Sequence, residues 1–163
     1  MNSRALKWVL FVLLSAGAVF VVWVVSGFFL YFGHTSGRNP RATFEHLVTK
    51  PVPASVHQIQ ESGFRAMDSV LRVLSFNIRT PDLQSILDAQ KYKPVDADEL
   101  MHRHSASRDE YLRSWELQIE RLAKLKVHFT SDWQAYKLND GGGQKYIFCN
   151  TNTSEAVFVA DAG

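Results

Sequence analysis

The stretch DADELMHRH places Asp96, Asp98, Glu99, His102 and His104 close together. Imidazole nitrogens and carboxylate oxygens are ligands for zinc and harder divalent cations. Around a metal-bound water, such a set would support hydrolysis of an ester or amide. The spacing argues against it. His102 and His104 are two positions apart, which puts them on one face of a strand but lets them diverge on a helix or a loose loop. A solvated polar loop accounts for the same residues. The reading is therefore no catalytic, cofactor or metal site, with His102, His104 and Asp98 as the metal candidates the chain offers.

Other chemistries have less support. Gly141, Gly142 and Gly143 lack the spacing and the following Lys-Ser/Thr of a phosphate-binding loop, and with Asp140 they suit a hairpin turn. Cys149 sits in the apolar run YIFC, where a thiol behaves as a small hydrophobe and not as a nucleophile. Trp115, and Trp133 beside Tyr136, could stack a sugar or a peptide, but at helical or strand spacing they are expected in the core.

The most distinctive segment is KWVLFVLLSAGAVFVVWVVSGFFLYF, uncharged from Trp8 to Phe32. At ~1.5 Å per residue it reaches ~37 Å, against ~30 Å for a bilayer's hydrocarbon core. It exceeds the ~7 to 15 apolar residues of a cleaved signal peptide, which predicts a retained signal-anchor. Trp8 at one end and Phe28, Phe29, Tyr31 and Phe32 at the other would lie at the two interfaces. The bilayer is then one partner, through residues 8–32. Basic residues flank both ends (Arg4 and Lys7; Arg38, Arg41 and Lys50), so orientation rests on the short basic tail and a C-terminal domain expected outside the cytoplasm.

Among 163 residues, 18 Lys and Arg face 16 Asp and Glu, a net charge of +2 for which Arg4 and Lys7 account. The remainder is neutral and has no basic stripe, so nucleic acid is not expected as a partner. A single cysteine excludes an internal disulfide. The expected organisation is a basic tail at 1–7, a transmembrane helix at 8–32, a tether at 33–39 and one domain at 40–163.

Within that domain, Asn39 with Pro40 starts a helix bearing Phe44, Leu47 and Val48, which KPVPAS ends. SVHQIQE and DSVLRVLSFNI alternate as strands, the second with Val70, Leu74, Phe76 and Ile78 on one side. Thr80 and Pro81 open a helix carrying Leu83, Ile86 and Leu87. Residues 96–104 form either a short helix capped by Asp96 and Glu99 or a loop. Ser107-x-x-Glu110 is a capping box for a long helix to about Lys126, with Leu112, Trp115, Ile119 and Leu122 as its apolar stripe and Glu116 on its wet side. QAYKL, QKYIFCN and EAVFVAD follow as a meander. The predicted class is α+β: an N-terminal transmembrane helix, then a small domain with an antiparallel sheet and packed helices.

FEHLVTKPVPASVHQIQ, VLRVLSFNIRTPDLQSIL and the closing Gly-rich hairpin resemble small bacterial membrane-anchored or secreted α+β proteins of unassigned function. That resemblance implies an envelope location and transfers no active site. The expected role is a binding or protein-interaction module, with a metal-assisted hydrolase on 96–104 or an accessory subunit of a membrane complex as alternatives. The last strand is apolar on both sides. Its Val157 and Val159 are therefore candidates for a contact with a protein partner or a second copy, and the helices at 81–91 and 108–126 are expected to share the other face of the sheet.

Overall fold

The computed structural model describes residues 3–35, 39–66, 69–96, 107–139 and 143–162, and the chain divides into two compact units, Met1–Gly33 and His34–Gly163. The first unit is built on helix α1, Ser3–Tyr31. Its described apolar side chains are exposed, from 46% at Val24 and Val25 to 72% at Trp23. The expectation of a single-pass anchor at residues 8–32, with its membrane location, is overturned: among the described residues no helix is long and apolar enough to cross a membrane. Trp8 is exposed. The side chains of Phe28, Phe29, Tyr31 and Phe32 lie outside those described.

Strand β1 is Phe32–Thr35, at the start of the expected tether. Helix α2, Pro40–Leu47, begins as its sequence demands: Asn39 accepts the Ala42 N–H at 3.1 Å, and Pro40 takes the first turn, where no N–H is needed. Strands β2, His57–Ala66, and β3, Ser69–Asn77, form a long antiparallel pair. Helix α3, Thr80–Gln90, ends at Lys91 in the left-handed region, φ 61°. A strand unforeseen in the sequence follows: β4, Lys93–Pro94.

Helix α4, Arg108–Gln118, is capped by the Ser107 hydroxyl accepting the Glu110 N–H at 3.3 Å. It stops being α-helical before Lys126. Ile119–Ala123 widens into a π turn, closed by Lys124 at φ 57°. The chain then runs through β5, Trp133–Asn139, β6, Gln144–Asn150, and β7, Glu155–Ala162.

The seven strands lie in the order β1-β2-β3-β7-β6-β5-β4, and the pairings from β2 through to β4 are antiparallel. Side chains alternate across a strand, so one register sorts the apolar residues of β7 into two cores. Ala156, Phe158 and Ala160 join Leu74, Phe76 and Ile147 beneath α2 and α3. Val157 and Val159 join Val73, Tyr146 and Phe148 beneath α4 and the π turn. The helices from 80 and 108 thus cover opposite faces, which corrects the expectation that they share one. This arrangement explains why β6 and β7 are apolar on both sides: each face has its own helical layer.

The aromatic content of the second core is high. Trp115 packs on Tyr146 and Phe148 with ring centroids 5.1 and 5.3 Å apart, and Phe129 meets Trp133 edge-on at 4.7 Å.

Candidate functional site

β7 lies between β3 and β6, an interior position and not an edge. Val157 and Val159 are 1% and 0% exposed, so they present no surface to a partner in the folded domain. His102, His104, Asp98 and Glu99 lie outside the described residues, and Asp96 is exposed. Among the described residues, no three His, Cys, Asp or Glu side chains group to hold a metal ion. Cys149 is buried, and loss of water pushes its thiol up to about 11, partly opposed by a backbone hydrogen bond from Gln134. That environment suppresses thiolate chemistry.

A Ser, His and carboxylate meet elsewhere, unforeseen because they come from separate elements. Ser55 donates its hydroxyl to the Asp82 carboxylate at 2.5 Å, and Arg79 reaches the same oxygen at 3.2 Å. His57 Nδ1, however, lies 2.7 Å from the Ser55 backbone carbonyl and bonds there, not to the hydroxyl. The serine is therefore not activated by a base. The Ser55 hydrogen bond lowers the Asp82 pKa most, desolvation opposes it, and Arg79 lowers it further. The cluster fastens the loop before β2 to the first turn of α3.

A cavity of about 380 Å³ lies among β4, β5 and the start of α4. Its floor is β5 from Trp133 to Tyr136. Pro94, Val95 and Asp96 form the wall at the end of β4, and Arg108, Tyr111 and Leu112 form the wall at the first turn of α4. β4 pairs only Lys93 and Pro94 with Lys137 and Tyr136, and Val95 donates one further bond to the Ala135 carbonyl, at 2.9 Å. Proline has no N–H to give, so β4 is a short edge strand. After Asp96 the next outward-facing carbonyl of β5, that of Trp133, accepts from the Arg108 guanidinium instead.

That bond ties the Arg108 side chain, which lines the cavity, to the backbone of β5. Tyr136 donates its hydroxyl to Gln134 at 2.8 Å, and burial, with the neighbouring Cys149 second, raises its pKa. The Tyr111 hydroxyl is buried without a hydrogen bond of normal geometry. Burial raises its pKa strongly, and the Trp115 indole only partly offsets this.

The capping box at Ser107 foretold where α4 starts, and so where Arg108 stands. Nothing in YKPV foretold that two of its residues would close a sheet edge, because a pair that short has no periodicity to recognise. No protein-family model, no curated protein and no solved structure matches the chain.

Proposed function

We propose that the α+β unit His34–Gly163 is a binding module and that the cavity between β4, β5 and the start of α4 is where it binds. One observation carries this reading. Beside the two-residue strand β4, the Trp133 carbonyl of β5 is taken by the Arg108 guanidinium, and the adjoining cavity is lined by a cation, a carboxylate, an amide and tyrosine rings. At about 380 Å³ it falls in the range of small-molecule and side-chain pockets, near the lower end. A few directed polar groups over an aromatic and aliphatic lining are what orientation and affinity require of such a site.

The test is a ligand-observed NMR screen of a small-molecule library against the full chain, repeated with Arg108→Glu and with Gln134→Trp, an exposed position whose enlargement obstructs the cavity. The expected result is a group of ligands that loses its signal with both variants while circular dichroism is unchanged. Ligands that bind both variants as well as they bind wild type, or none at all, would refute the cavity as the binding site.

A further inference from the structure

We infer that the ligand of this cavity is a small zwitterion of the amino-acid class, with its carboxylate on Arg108 and its ammonium on Asp96; this rests on the reading of the cavity as a binding site. Arg108 and Asp96 line the same space from different walls. Among the described residues they form no ion pair with each other; the ion pairs present are Arg72 with Glu61, Arg79 with Asp82 and His128 with Glu116. Both side chains line the cavity without pairing with each other. Here the guanidinium is committed in another direction, to the Trp133 carbonyl.

One N–H of Arg108 is spent on that bond, which leaves the others in a fixed plane. A planar fork held by one edge is suited to a carboxylate, to which guanidinium groups donate in parallel pairs. The positive end of α4 lies on the same side and favours the same charge. Asp109 and Glu110 also occupy that first turn, but neither lines the cavity. Asp96, where β4 ends, supplies acceptors only, which an ammonium group with three N–H donors satisfies. A ligand with only a carboxylate would leave Asp96 as a like charge in a shared small space, and a ligand with only an ammonium group would face Arg108 in the same way. The zwitterion is the class that meets both. Tyr111, Tyr136 and Leu112 line the same cavity and supply aromatic and aliphatic surface for the ligand's side chain.

The experiment is titration of the full chain with each of the twenty standard L-amino acids, followed by ligand-observed NMR up to about 10 mM, the range in which a weak small-ligand site still gives a signal. Any amino acid that binds is retested as its N-acetyl derivative, which removes the positive charge, and as its methyl ester, which removes the negative one. The inference expects binding of at least one free amino acid and a weakening of about tenfold to hundredfold with either derivative, as loss of one charge-assisted contact implies. Asp96→Asn should restore part of the affinity for the N-acetyl form, and Arg108→Gln part of that for the ester; an unfolded variant would not show these opposite preferences. Equal binding of the N-acetyl form would overturn the zwitterion in favour of a plain carboxylate. Binding of no amino acid would overturn it too, and the library screen against the same cavity would then show whether the binding site itself stands.

Discussion

The guanidinium of Arg108 donates to the backbone carbonyl of Trp133, at the point in the β5 ladder where a neighbouring strand would have put an N–H. Alternate carbonyls of a strand point the same way, so the Trp133 oxygen and the Ala135 oxygen bonded by Val95 face the same edge. Removing the side chain leaves a part-buried acceptor to find water. Arg108→Ala should therefore lower stability by about 1 kcal/mol in urea unfolding without changing the fold. A loss of several kcal/mol would mean that Arg108 supports more of the structure than this one bond.

The start of α4 and its packing separate two contributions. The Ser107 hydroxyl caps the helix through the Glu110 N–H, and Ser107→Ala should cost about 1 kcal/mol. Trp115 is half-buried against Tyr146 and Phe148. Trp115→Ala should cost about 3 kcal/mol, the lower end for an aromatic truncation because part of the ring is already wet. Equal, negligible losses in both variants would contradict the second core as described.

Glu116, expected on the solvated side of its helix, instead ties down the strand-free segment that follows the π turn. Its Oε2 accepts the Phe129 N–H at 3.1 Å and its Oε1 lies 3.2 Å from His128 Nδ1. Because the His128 side chain is 83% exposed, His128→Ala should change stability by at most ~0.5 kcal/mol. Glu116→Ala should cost about 1–2 kcal/mol by orphaning a backbone donor. Hydrogen exchange at the Phe129 amide reads this directly: it should accelerate in Glu116→Ala and stay near wild type in His128→Ala.

Asp82 predicts an acid response. Its folded pKa lies below the ordinary value of 3.8 through Ser55 first and Arg79 third, with desolvation opposing. A depressed carboxyl pKa stabilises the fold at pH values above the unfolded-state pKa, and the contribution disappears as pH falls through the folded value. Stability measured from pH 6 downward should therefore fall less steeply below about pH 4 in Asp82→Asn than in wild type. Parallel acid limbs in the two proteins would exclude Asp82 as a contributor.

Cys149 should be silent in the native state. It is buried, with its thiol pushed up to about 11. At pH 8, labelling by a thiol-reactive dye should proceed at the rate of unfolding and rise with urea in step with the loss of circular dichroism. Rapid labelling without denaturant would show an open path to the strand that the two cores do not provide.

Local signals were legible wherever a few neighbouring residues settle the backbone. Asn39 with Pro40, Thr80 with Pro81 and Ser107 with Glu110 each marked a helix start that the structure keeps, because caps and prolines act within one turn. The alternation in β3 and the apolar runs of β6 and β7 marked strands for the same reason, since side-chain direction follows from the strand itself. Apolar residues on both sides of β7 also required a covered sheet on both faces. Which helix covers which face was settled only by the fold: α3 and α4 follow similar patterns, and their placement depends on a strand order, β3-β7-β6, that joins distant parts of the chain. That order buried Val157 and Val159 instead of leaving them at an edge. It also determined the cavity, whose lining comes from separate stretches of the chain at 94–96, 108–112 and 133–136. Propensity and spacing act over a turn or a strand, whereas a site assembled across a sheet edge depends on which strands pair.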